Sequence, residues 1–132
     1  MLTNESPFAI KEAYVKLRTS LLFCMTADKE RPCSTFAITS AKPSEGKSLT
    51  AANIAISYAM LGKRVLLVDA DMRKPVQHKC FRLSNKVGLS DVITGDKPLD
   101  KALNRNVTGS LDVLTSGTIP PNPSELLASR QM

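Results

Sequence analysis

The sequence predicts an α/β protein in three layers, a parallel β-sheet flanked by helices. Three observations predict it. A short β-type run, Ser34–Ser40, leads into Ala41-Lys42-Pro43-Ser44-Glu45-Gly46-Lys47-Ser48 and then straight into a helix-forming segment. A second run, Arg64–Asp69 (RVLLVD), is nearly all apolar, the mark of a strand covered on both faces in a parallel sheet. Two strands joined by one helix form a right-handed βαβ unit. Finally, the chain has 132 residues, of which 42% are hydrophobic and 23% charged. That suits one domain, 1–132, with a core that needs no staples.

The elements follow in order. Ser6-Pro7 reads as a helix start, with Ser6 as cap and Pro7 at the first helical position. Phe8, Tyr14, Leu17, Leu21, Leu22 and Met25 then recur at helical spacing, with Lys11, Lys16 and Arg18 between them. The spacing predicts a helix over 7–26. A polar connector, Asp28–Pro32, separates it from the core at 34–132. In the first strand Phe36 and Ile38 share a face. The next helix is predicted from Lys47 to Leu61, with Leu49, Ala52, Ile56 and Met60 on one side and Ala51, Ala55 and Ala59 allowing close packing on a sheet. Gly62 ends it, as a C-terminal glycine does.

After Pro75 the pattern loosens. Gly88–Thr94 and Leu99–Asn104 read as short helices, and Leu111–Thr115 as a third strand. Gly117–Pro121 is a Pro-rich loop. Asn122-Pro123-Ser124-Glu125 then starts a last helix, with Asn122 as cap, Pro123 first and Glu125 in the capping-box position.

Strand, loop ending in Gly-Lys-Ser, helix is the context in which a phosphate-binding loop has meaning. Backbone N–H groups of such a loop point at a polyphosphate, and the helix adds its positive end. Ala41, Lys42, Pro43, Ser44, Glu45, Gly46, Lys47, Ser48 and Leu49 are the candidate nucleotide-binding positions, with Arg73 beyond them. Lys47 would reach the outer phosphates of ATP or ADP, and the Ser48 hydroxyl would sit on Mg²⁺. Ala41 stands where a glycine is usual. The bland alternative, an ordinary turn with an exposed lysine, gives Lys47 and Ser48 no reason to be adjacent.

The second chemical motif is VLLVDADMR, Val65–Arg73. A buried strand delivers Asp69 and Asp71 to the edge of the sheet where ligands of open α/β folds sit. One carboxylate can hold the metal; the other can accept a proton from an attacking hydroxyl. The bland reading has Asp69 capping the strand and Asp71 paired with Arg73 on the surface.

Charge and composition exclude other classes. The net charge is +6, from 18 Lys and Arg against 12 Asp and Glu. Part of the excess is local, at Arg73, Lys74, Lys79, Arg82 and Lys86. Aromatic residues that stack bases are scarce there, with only Phe81 at hand, so no nucleic-acid partner is expected. No apolar run nears the ~20 residues that span a bilayer. The opening MLTNESPF lacks a basic region followed by an apolar stretch, so no secretion signal is expected. Cys24, Cys33 and Cys80 match no metal spacing and read as reduced thiols. His78, the sole histidine, is expected to be structural or on the surface.

SAKPSEGKS, VLLVDADMRKP, GLSDVITG and LTSGTIPPNPSELLAS together resemble the bacterial tyrosine kinases of capsule and exopolysaccharide synthesis. The resemblance covers almost the whole chain and implies a P-loop fold. It also implies an enzyme that moves the γ-phosphoryl group of ATP to protein tyrosines, its own among them. By position, Lys47 and Ser48 would hold phosphates and Mg²⁺, Asp71 would help fix the metal, and Asp69 would be the base, with the two acids open to exchange. The family is cytoplasmic, is switched on by the cytoplasmic tail of a membrane-spanning partner, and forms rings that phosphorylate in trans.

Three departures stand out. The family carries a further apolar-then-Asp strand after the helix that begins at Asn122; here the only such run is Val65–Asp69. The sheet is thus expected to be incomplete and the chain part of a longer protein. A tyrosine cluster is missing, the two tyrosines being Tyr14 and Tyr58. The family's first-helix Glu-x-x-Arg-x-x-Arg is matched at Glu12 and Arg18, but Val15 stands between them. Two alternatives remain: an ATPase of the partition or septum-placing type, for which Lys42 lies at the signature position, and a nucleotide-binding interaction module without catalysis.

Overall fold

The computed structural model describes residues 1–3, 5–25 and 33–132. Thr26 and the connector Asp28–Pro32 lie outside the described residues, as does the Met25 side chain. Elements run in the order α1 (Phe8–Met25), α2 (Lys47–Ala59), β1 (Val65–Val68), α3 (Gln77–Cys80), α4 (Leu89–Ile93), α5 (Leu99–Ala102), β2 (Leu103–Thr108), β3 (Leu111–Leu114) and α6 (Pro123–Leu127).

The sheet has the order β1-β3-β2. β1 and β3 are parallel, with Val65 opposite Leu111 and Val68 opposite Leu114. β2 returns antiparallel to β3. Successive strand residues face opposite sides. Leu67, Leu111 and Val113 therefore meet Ala52, Ala55, Ile56 and Ala59 of α2, and the small alanines let the helix lie close to the sheet. On the other face Val68 and Leu114 pack with Met72, Leu89, Ile93 and Ala102. Helices thus cover both faces, and the expected α/β/α layering holds.

α1 docks on α2 through polar contacts as well as Tyr14. The Arg18 guanidinium donates to the Ser57 carbonyl (2.6 Å), and the Tyr58 hydroxyl donates to the Arg18 carbonyl (3.3 Å). Glu12 pairs with Lys16 one turn on (2.9 Å). The Leu2 N–H donates to the buried Asn53 side chain (2.7 Å). Gly62, at φ 73°, ends α2 as expected.

Several expectations are corrected. Ser34–Ser40 is not a strand: it joins the sheet on neither side, and Phe36 packs on Tyr58 of α2 instead, with ring centroids 6.3 Å apart. Alternation specifies a face but supplies no ladder partner. The βαβ unit expected across the loop is therefore not formed. β1 is consequently an edge strand, and although Leu67 and Val68 pack on opposite faces, Leu66 is 50% exposed, so the strand is not buried along its length as expected. The sheet is mixed rather than parallel, because Leu99–Asn104 does not stay helical; α5 stops at Ala102 and β2 begins at Leu103. Leu49 and Met60 of the expected α2 core face are exposed, as are Phe8 and Leu17 of α1. The core-facing stripe of α2 lies instead around Ala52, Ala55, Ile56 and Ala59.

Two caps also differ. The Ser6 hydroxyl accepts the Thr3 N–H (2.9 Å). Asn122 donates to the Glu125 carboxylate (2.6 Å), side chain to side chain, and makes no side-chain cap bond to the backbone.

The start of α4 is locked to the end of β3. Leu89 and Ser90 N–H donate to the Thr115 and Ser116 carbonyls (2.7 and 2.9 Å). Asp91 accepts from the Gly88 and Thr118 N–H groups (2.8 and 3.3 Å). A Cβ on Gly88 would run into the Thr115 carbonyl and the Gly117 backbone. Gly88→Ala is therefore expected to lower stability by about 3 kcal/mol in urea unfolding, as overpacking against backbone does. Gly95→Ala, where a Cβ meets nothing within 4 Å but φ is 81°, should cost only about 1 kcal/mol.

Candidate functional site

The loop between Ser40 and α2 is shaped by its own side chains. The Ser40 hydroxyl donates to the Lys42 carbonyl (2.9 Å), and the Lys42 N–H donates to the Glu45 carboxylate (3.1 Å). Ser44 and Gly46 adopt left-handed conformations, with φ 65° and 84°. Left-handed residues in a tight loop turn successive N–H groups toward a common centre, the geometry of an anion nest. At Gly46 a Cβ would meet nothing, so conformation and not space calls for glycine there. α2 starts immediately afterwards, and the Gly46 carbonyl takes the Thr50 N–H (2.9 Å).

The acidic segment leaves β1 at Asp69. Asp69 is buried, with 6% of the residue exposed. It accepts three backbone amides: Asp71 N–H on one oxygen (3.3 Å), and Val76 and Gln77 N–H on the other (3.1 and 2.9 Å). The last two open α3, so Asp69 caps that turn from eight residues upstream in the chain. Asp71 points elsewhere. One oxygen meets the Lys47 ammonium (3.1 Å) and the other accepts the Lys74 N–H (3.0 Å). Burial raises the Asp71 pKa, but the Lys74 amide, the Lys47 hydrogen bond and charge, and the Arg73 amide outweigh it and hold the carboxyl below the usual Asp value.

Lys47 and Asp71, the loop lysine and the second acid, are thus brought together. Ser48 is tied in by its carbonyl, which accepts the Gln77 side-chain amide (2.9 Å). Arg73 is not paired with Asp71; its guanidinium reaches the Ser124 hydroxyl at the start of α6 (3.2 Å). Lys42, Pro43, Ser44, Glu45 and Leu49 line an exposed rim. His78 has a buried Nδ1 without a partner, and the described residues place no triad around it. Gln77 has no motif signal: a glutamine two residues after a proline carries no chemistry that spacing can read.

The Ser48 hydroxyl and Asp71 carboxylate are hard oxygen donors of the kind Mg²⁺ takes, and their chemistry fits that ion. Among the described residues no group of three or more His, Cys, Asp or Glu makes a metal cage alone. That suits a cation that keeps much of its sphere in phosphate and water oxygens.

Residues 36–111 match the family described as the CobQ/CobB/MinD/ParA nucleotide binding domain. The chain is 49% identical over 121 residues to the tyrosine-protein kinase YwqD of Bacillus subtilis (strain 168), covering 92% of this chain and 50% of that protein. The crystal structure of the chimerical protein CapA2B2 superposes with a TM-score of 0.81 at 42% identity, over 96% of this chain and 54% of that one. The kinase domain of the Escherichia coli tyrosine kinase ETK gives a TM-score of 0.82 at 36% identity, over 96% and 52%. The chain spans about half the length of these relatives.

Because the folded pKa of Asp71 is depressed, its contribution to stability is full above the unfolded carboxyl pKa and is lost as pH falls through the folded value. Carboxyl ¹³C titration by NMR should place the Asp71 midpoint below the ordinary carboxylate range. In Lys47→Met the midpoint should move up, toward that range; an unmoved midpoint would show that Lys47 does not set it.

Proposed function

We propose, for a chain that belongs to the CobQ/CobB/MinD/ParA nucleotide-binding family, that it is the ATP-holding part of a protein-tyrosine kinase of capsule or exopolysaccharide synthesis. The observation that carries this reading is the Lys47–Asp71 pair at 3.1 Å, beside a loop whose left-handed residues and helix start gather amides. The likeness to tyrosine-protein kinases at 49% identity supports the choice of acceptor over water.

In this reading the amides at Ser44–Ser48 and the start of α2 receive the phosphates of ATP. The Lys47 ammonium leaves Asp71 for the outer phosphates, which offer more negative charge than one carboxylate. Asp71 is then free to face a cation together with the Ser48 hydroxyl. Mg²⁺, when bound, supplies neutralisation of charge on the phosphate oxygens. Asp69, with both oxygens engaged by amides, fits the part of anchor better than that of proton acceptor. Ala41 stands at the loop's entry, and Arg73 braces the acidic segment against α6 from outside the phosphate cradle.

Tyrosines of the protein itself are the proposed acceptors. No helix of the described residues is long and apolar enough to cross a membrane. The proposed tie to the cytoplasmic face of the membrane is the tail of a spanning partner, as the resemblance implies. The first-helix residues Glu12 and Arg18, which the resemblance assigns to a contact between subunits, are engaged inside the chain, on Lys16 and Ser57.

Lys47→Met is expected to weaken binding of a fluorescent ATP analogue by roughly tenfold to a hundredfold, the worth of a charge-assisted hydrogen bond. In the full-length protein with ATP and Mg²⁺ it should abolish anti-phosphotyrosine signal. ATP hydrolysis with no tyrosine labelling of the unmutated protein would sink the kinase reading.

A further inference from the structure

The acidic segment and the phosphate loop are joined by two links, and they differ in kind. One is the Lys47–Asp71 ion pair, whose side chains are 34% and 28% exposed. The other is the Gln77 side chain, 3% exposed, whose Nε2 donates to the Ser48 carbonyl at 2.9 Å while its own backbone N–H donates to Asp69 at 2.9 Å. Gln77 therefore runs from the buried acid to the first turn of α2.

On the nucleotide-binding reading given above, the first link is temporary, because phosphates draw Lys47 away. The second involves no group that a nucleotide recruits. Ser48 uses its carbonyl for Gln77 and keeps its hydroxyl free for the cation. We propose that Gln77 is a positioning residue: it holds Ser48 and the Asp69–Asp71 segment at a fixed spacing once Lys47 has left Asp71, so that the hydroxyl and the carboxylate meet one Mg²⁺ together.

Four features support this. The hydrogen bond spans 29 residues of sequence, so no local structure enforces it. The amide is buried, where a hydrogen bond resists competition from water. Gln77 is the first residue of α3, and its backbone is fixed independently by Asp69, so the side chain reaches out from a rigid base. Its Oε1 is also buried without a protein partner. A buried amide kept with half of its capacity unused is costly unless its orientation serves something.

The test uses Gln77→Leu, which keeps the bulk and removes the amide, and Gln77→Glu, which keeps length and acceptor and removes the donor. Both retain the backbone N–H that Asp69 holds. Binding of a fluorescent adenine nucleotide is measured with EDTA and across a Mg²⁺ titration, alongside the melting temperature. The expected result is Mg²⁺-free affinity within about twofold of the unmutated chain, with the Mg²⁺ concentration for half-maximal effect raised about five- to tenfold, the fold-change that one hydrogen bond is worth. A merely structural role would lower the melting temperature and weaken both affinities alike, and that outcome overturns the proposal. An unchanged Mg²⁺ titration in whichever variant folds also overturns it. If the unmutated chain binds no nucleotide, the underlying reading falls and this proposal with it. If it binds with Mg²⁺ dependence that Gln77→Leu and Gln77→Glu preserve, only the positioning role falls.

Discussion

A carboxylate taken out of water has to find donors, and Asp69 finds them in the backbone of the residues that follow it. Three amides converge on it. That convergence folds the stretch from Ala70 to Gln77 back on the end of β1. Met72 is thereby driven into the core beside Leu89 and Leu114, Asp71 is turned toward Lys47, and Gln77 is aimed at Ser48. Hydrogen bonds to a charged acceptor are stronger than those between neutral groups. One buried carboxylate thus gathers the two ends of this loop, while Asp71 holds the Lys74 amide between them.

The phosphate loop has a different basis. Ala41 to Gly46 are all exposed. Ser40, Glu45 and two left-handed residues hold its shape. A loop held by short-range bonds can leave its amides available without burying unsatisfied polar groups. The two halves of the site are therefore built separately, one from a buried acid and one from local turns, and meet at Lys47 and Ser48.

Much of this was legible in the residues. GKS before an alanine-rich helix placed α2 to within two residues at its end, and VLLV marked β1, because both patterns are local and strong. The start of α6 was legible from Asn122-Pro123. Lys47 and Asp71 were each legible as site residues, but their ion pair was not, because the strand expected to carry the loop to the end of β1 is not formed. What escaped depended on partners. Phe36 and Ile38 alternate like a strand, yet alternation cannot name the neighbouring strand. Leu103–Thr108 escaped because Asn104, Arg105 and Asn106 are poor strand formers, and the strand exists by pairing with β3. At its irregularity the Asn106 amide is satisfied by the Asp112 side chain (2.8 Å), a rescue invisible in composition. Gln77 escaped for the same reason: its importance lies 29 residues away.

Among the described residues, no strand pairs with the outer side of β1. β1 offers its outer row of N–H and C=O groups, with Leu66 half-exposed beside them. Such a row is a template on which another extended chain can crystallise into the ladder. In dilute, low-salt solution the excess of positive charge keeps copies apart; added salt shortens the reach of that repulsion to a few ångströms or about ten. Screening therefore removes the main barrier to pairing through this edge, so an open strand and a surplus of like charge pull the molecule's solution behaviour in opposite directions.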